Sequence, residues 1–98
     1  MFEVGRSSIH GAGCFATEVI RPGALIGRFD VEPADGDGPH VLWLGDEPLL
    51  VTNELRYLNH AANPNAEMDD LEVRALRRIE PGEEITVHYG PDWTTESS

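Results

Sequence analysis

The sequence predicts a mainly β domain built from several short sheets, with little helix. Three observations predict it. Ten glycines and seven prolines stand among 98 residues, so turns interrupt the chain at short intervals. Runs of strand-forming residues are short and end in turn signals. The pattern I-x-P-G-x-x-I occurs twice, at 20–26 and at 79–85. In each copy Pro and Gly take the second and third positions that a type II turn requires. Two such turn-and-strand units predict two related β layers; a solenoid needs at least three repeats. The length allows one core. Residues 1–93 are expected to form the single domain, and 94–98 a polar, frayed tail.

Taken in order, the elements follow from local chemistry. Residues 2–6 read as a strand, and 7–13 as a glycine-rich loop. Cys14-Phe15-Ala16 reads as a second strand. Residues 24–31 read as one strand after the first Pro-Gly turn. The stretch 32–39, with Asp35-Gly36-Asp37-Gly38, reads as a mobile acidic loop. Residues 40–44 and 49–52 read as a strand pair turned at 45–48. The segment 53–58 is expected to form one helical turn with Asn53 as its N-cap. Residues 59–66 hold four asparagine or proline side chains that oppose regular structure. The stretches 72–76 and 84–89 read as strands.

Composition excludes several classes of function. Seven basic residues face 18 acidic ones, a net charge of −11. Direct nucleic-acid binding is not expected, because phosphate recognition needs clustered Lys and Arg. An acidic surface attracts basic partners, and it also serves solubility alone. The one cysteine, Cys14, allows neither an internal disulfide nor a cysteine-rich zinc site; a small buried hydrophobe is its expected role. His10, His40, His60 and His88 show no ligand spacing on one element, so no metal is expected. The first residues lack the pattern of a secretory signal. No apolar run approaches the roughly 20 residues that span a bilayer. Cytoplasm is the expected compartment, with no membrane partner.

Four stretches are candidates for chemistry. His10-Gly11-Ala12-Gly13 lets backbone approach a ligand closely; alone, a plain hairpin loop accounts for it better. Asn59-His60 lies in an irregular segment and offers amide and backbone groups to a polar ligand. A loop stitched by its own asparagines accounts for it equally. The Tyr89 hydroxyl ends a strand, either facing a pocket or, more commonly, water. Trp93 either packs on the body or stacks on a ligand, and packing is the commoner case.

Together, and above all in their order, these stretches resemble the SET-domain family of protein lysine methyltransferases. Ile9-His10-Gly11-Ala12-Gly13-Cys14-Phe15-Ala16 resembles the opening G-x-G loop and Phe-Ala strand. Thr52-Asn53-Glu54-Leu55-Arg56-Tyr57-Leu58-Asn59-His60 resembles G-N-x-x-R-F-I-N-H, and Asn63-Pro64-Asn65 the P-N that follows. Glu83-Glu84-Ile85-Thr86 resembles the Glu-Glu-Leu-Thr signature, and Tyr89-Gly90 closes the series. The resemblance implies a SET-type β-clip fold with a C-terminal pseudoknot, a rare exception to the rule against threading. That would bring Asn59-His60 beside Tyr89, thirty positions on (89 − 59 = 30).

The resemblance further implies S-adenosyl-L-methionine as cofactor and the lysine of a basic, lysine-rich protein as acceptor. His10, Gly11, Ala12 and Gly13 would meet the cofactor through backbone. Asn53, Arg56, Tyr57, Asn59 and His60 would line its pocket, and Trp93 would stack on its adenine. Tyr89 would be the catalytic tyrosine, with Val87 beside it in the lysine channel. Methyl transfer from a sulfonium to a neutral amine asks mainly for alignment and for an apolar channel that lowers the lysine pKa. Four positions depart from the pattern: Ala61 for Ser, Thr52 for Gly, Val87 for an aromatic, and a very short insert at 32–39. The short insert leaves the substrate groove open, or completed by a second subunit in a homodimer. A SET-like binding module without turnover is the alternative, and a SAF-type β-clip domain a more distant one.

Overall fold

In a computed structural model, residues 1–9, 11–36, 38 and 40–88 are described, together with the backbone of 93–94. The described chain forms β1 (Phe2–Arg6), β2 (Ala12–Ala16), β3 (Leu25–Arg28), β4 (Val31–Pro33), β5 (Val41–Leu44) and β6 (Glu47–Val51). A 3-10 turn (Glu54–Tyr57) follows. Then come β7 (Asn59–His60), β8 (Ala66–Asp69), β9 (Glu72–Ala75), β10 (Glu84–Val87) and β11 (Trp93–Thr94). Three sheets result, ordered β1-β2-β10-β7, β11-β5-β6-β4 and β3-β9-β8. The expectation of several short sheets and little helix holds.

The doubled Pro-Gly motif organises two of those sheets. Gly23 and Gly82 have φ of 81° and 85°, a conformation glycine adopts without steric cost. Each turn closes through one backbone bond, Ala24 N–H to Arg21 O and Glu83 N–H to Glu80 O, both 3.0 Å. Ile20 and Ile79 pair reciprocally at 2.9 Å in each direction. Gly23 N–H then donates to Ala75 O, and Gly82 N–H to Ala16 O. The two units are offset by 59 residues (79 − 20 = 59), and they exchange strands. β3 follows β2 but pairs with β9, while β10 follows β9 but pairs with β2. Registers repeat as well: Leu25 faces Arg74, and Glu84 faces Phe15.

All three sheets feed one core. Cys14 and Ala16 enter from β2, Ile26 from β3, Leu42 and Val51 from β5 and β6, Val73 from β9, and Ile85 and Val87 from β10, with Leu55 and Leu58 from the turn. Deleting a large side chain from such a core costs about 2–5 kcal/mol.

Six local readings need correction. The strand expected over 24–31 breaks after Arg28, because Phe29 sinks into the core and its N–H bonds Leu71 O at 2.7 Å; β3 and β4 then join different sheets. The turn expected at 45–48 is confined to Gly45 and Asp46, with Gly45 at φ 66°; Pro48 sits in β6 opposite Trp43. Asn53 holds the N-cap position without capping, since its amide donates instead to Arg28 O at 2.7 Å. The segment 59–66 is not irregular throughout: Asn59–His60 forms a short parallel strand beside β10. The β8–β9 hairpin was not expected, and its turn uses Asp70 at φ 54°, a conformation Asp tolerates better than most residues. Thr94 pairs with Val41, so pairing runs one residue into the expected tail; 95–98 lie outside the described residues.

Candidate functional site

In the described residues β10 pairs in parallel with β7: Thr86 faces Asn59, and Val87 faces His60; the expected threading of the segment that follows, and Tyr89 itself, lie outside the described residues. Ala61 N–H extends the pairing to Val87 O at 3.0 Å. The Asn59 side chain, buried by this pairing, points across β10 toward β2. Its Nδ2 donates to Ala12 O at 2.9 Å and to Glu84 Oε2 at 2.8 Å. The Glu84 carboxylate also accepts the Ser7 hydroxyl, at 2.8 and 2.9 Å to its two oxygens. Ser7 Oγ in turn accepts the Ile9 N–H at 2.9 Å. One carboxylate thus ties the glycine-rich loop to the Asn-His segment.

The two glycines of the loop differ. A Cβ on Gly13 would collide with the Glu84 carboxylate and press on Ser7 Cβ at 3.0 Å, so the network itself requires glycine there. Gly11 needs glycine for its φ of 46°, and the space beside it is open. That space belongs to a cleft of about 560 Å³ lined by Val4, Gly5, Arg6, Ser7, Gly11 and Ala12.

Asn53, Arg56 and Tyr57 form a second cluster. Arg56 donates through Nη1 to the Thr52 and Asn53 carbonyls, at 3.0 and 3.1 Å, and through Nη2 to Tyr57 Oη at 2.8 Å. Its guanidinium also lies 4.5 Å from the Tyr57 ring centre, which meets His40 edge-on at 6.0 Å. Arg56 therefore holds Tyr57 in place. Asn53 Oδ1 is buried with no hydrogen-bond partner among the described residues.

Val87 is fully buried in the common core. His60 and His88 are exposed, with ring centres 4.5 Å apart. Cys14 is buried, its Sγ 3.5 Å from Glu54 O. Burial first, then the Glu84 and Glu54 carboxylates, push its thiol up to about 12, so it is not a nucleophile at neutral pH. His10 and Tyr89 lie outside the described residues, and only the backbone of Trp93 is described, opposite Leu42.

Sequence reasoning missed the roles of Ser7 and Glu84. The sequence offered only the Glu83-Glu84-Ile85-Thr86 signature as a pointer to Glu84, and none to Ser7. It also missed Asn65, fully buried, whose Oδ1 accepts Thr86 N–H at 2.8 Å while its Nδ2 donates to Glu84 O at 2.8 Å.

Comparison with known proteins agrees with this geometry. The family model of the SET domain matches residues 11–90. Histone-lysine N-methyltransferase MEDEA of Arabidopsis thaliana is 28% identical over 121 aligned positions, which take in 93% of this chain and 18% of MEDEA. The chain thus spans less than a fifth of that relative's length. A Plasmodium falciparum crystal structure, described as a candidate histone methyltransferase, superposes with a TM-score of 0.76 at 22% identity, covering 95% of this chain and 100% of that one. Gly11, Ala12 and Gly13 of the glycine loop, the Asn-His strand and the closing β10 fall within the matched span, and the chain belongs to the SET-domain family.

Proposed function

We propose that the chain is an S-adenosyl-L-methionine-dependent protein-lysine N-methyltransferase acting on a basic protein. The observation that carries it is the Asn59 amide of the Asn-His strand, fixed between Ala12 O beside the glycine loop and the Glu84 carboxylate. It joins two separate motifs into one site. The residues present fit such a cofactor: Gly11 leaves open space for a close backbone approach, and the side-chain Oδ1 of Asn53 is buried with no hydrogen-bond partner among the described residues.

Gly11 and Ala12 would hold the cofactor through backbone, and Asn59 and His60 through the parallel strand. When bound, the cofactor supplies a methyl group on a sulfonium. Asn59 contributes rigidity, since its amide is already committed on two sides. Val87, buried two positions before Tyr89, keeps the end of β10 apolar, which favours the neutral amine that must attack. Tyr89 is assigned the task of orienting that amine and the transferring methyl through weak C–H···O contacts. The net charge of −11 draws a lysine-rich target to the enzyme.

Calorimetric titration of S-adenosyl-L-methionine, paired with a methyl-transfer assay on a lysine-rich protein, tests the reading. One saturable site is expected, weakened by Asn59→Ala, with thermal melting confirming that the variant is folded. Tyr89→Phe should keep the affinity and lower turnover at least about tenfold, or about 1.4 kcal/mol of barrier. The seven basic side chains of the chain are all arginine, so label in a lysine band belongs to the acceptor. Binding without transfer to any basic protein would favour a SET-like binding module. No binding would overturn the cofactor assignment.

A further inference from the structure

We propose that His60 and His88 form a binding site for a borderline divalent transition-metal ion such as Zn²⁺. Counting ligands along one element finds no metal motif in this chain. The pairing of β7 with β10 creates proximity of another kind, between side chains 28 positions apart (88 − 60 = 28). The ring centres stand 4.5 Å apart with planes inclined at 63°. Two imidazoles on one ion, each bound at about 2.0–2.1 Å and subtending about 90–110°, have ring centres about 4.5–5 Å apart. The observed separation is at the near end of that range, with the rings meeting edge to face, so binding requires them to turn until one nitrogen of each faces the ion.

The scaffold is firm where it matters. Thr86 and Val87, which lead into His88, are buried in β10, and the Ala61 N–H to Val87 O bond holds the chain just past His60. Both imidazoles are exposed, which gives an ion access. Imidazole is a common ligand for Zn²⁺, Ni²⁺ and Cu²⁺, whereas Mg²⁺ prefers oxygen. The excess of acidic residues raises the local concentration of any divalent cation. Among the described residues no group of three or more His, Cys, Asp or Glu side chains could hold a metal, so solvent would fill the remaining positions. The ion would fix β7 to β10 through side chains as well as backbone.

The test is calorimetric titration of zinc chloride into the metal-free chain in a non-chelating buffer, independent of any methyl transfer. One saturating site is expected. His88→Gln and His60→Gln should each weaken it at least about tenfold, and the double variant should be no worse than either single one, because the site needs both rings. A tenfold excess of magnesium chloride should not compete. Zinc should raise the melting temperature of the parent chain and leave that of His88→Gln unchanged, and this variant's metal-free melt reports its folding. Unchanged zinc affinity in both single variants, or displacement by Mg²⁺, would assign the binding to surface carboxylates and overturn the proposal.

Discussion

Glu83 sits where charge, turn and loop meet. Its Oε1 accepts the Glu80 N–H at 3.0 Å across the second Pro-Gly turn, and its Oε2 accepts Asn65 Nδ2 at 3.2 Å and pairs with Arg77 at 3.0 Å. The backbone bond from Glu80 leads the effects that hold its carboxyl below the usual carboxylate range, with Asn65 and Arg77 adding to it. A carboxylate whose folded pKa is depressed contributes stability that is complete above its unfolded pKa. That contribution is lost as pH falls through the folded value. Glu83→Gln should therefore destabilise the chain at pH 7 by up to about 1 kcal/mol, the scale of exposed pairs. Denaturation across a pH series should show the gap between variant and parent closing in the acid range, below the ordinary carboxylate pKa. A gap of constant size down to pH 2 would mean that the charge is irrelevant and only the turn geometry counts.

At the scale of elements, the Pro-Gly turns were the most legible feature, because a type II turn writes its needs into two adjacent residues. The sheet assignment of the strands they launch was less legible. The break at Phe29 depends on a contact with Leu71, far along the chain, and local propensity carries no trace of it. The same holds for Asn59–His60, which propensity places in a loop and which β10 recruits into a parallel pair. Of the site, the glycine loop and the Asn-His segment could be read from motifs, whereas Ser7 and Glu84 act through hydrogen bonds that only the folded arrangement defines. The turns themselves are testable. Ala at 23 or 82 must take a positive φ, which costs about 1–2 kcal/mol. Gly82→Ala and Gly23→Ala should each lower the unfolding free energy by that amount in urea titrations, with the m-value unchanged. The open space beside both glycines makes strain, and not collision, the cause. Equal losses are expected from the matched hydrogen bonding of the two turns; a much smaller loss at one would break that equivalence.

The whole molecule carries its charge in a small volume. Eighteen acidic and seven basic residues share a chain with a radius of gyration of 12.6 Å. At about 0.01 M ionic strength the Debye length is about 30 Å, so every carboxylate in such a body repels every other one. At about 1 M it is about 3 Å, and only contacts survive. Two effects then oppose each other as salt rises. Screening relieves the net repulsion, and it weakens the Arg74–Glu72, Arg77–Glu83 and Arg78–Glu80 pairs. Those pairs lie at least partly in solvent, where each is worth about 0–1 kcal/mol, while repulsion acts on all the unmatched carboxylates. Repulsion should win. The melting temperature is expected to rise by several degrees between low salt and about 0.5 M sodium chloride, at about 4–8 °C per kcal/mol for a chain of this size. Potassium chloride should match it, since screening depends on ionic strength and not on ion identity. Sodium sulfate at equal ionic strength should stabilise further, through its exclusion from the protein surface. A melting temperature that falls steadily with both chlorides would show that the surface ion pairs outweigh the excess acid, and would remove self-repulsion as the term that limits the stability of this fold.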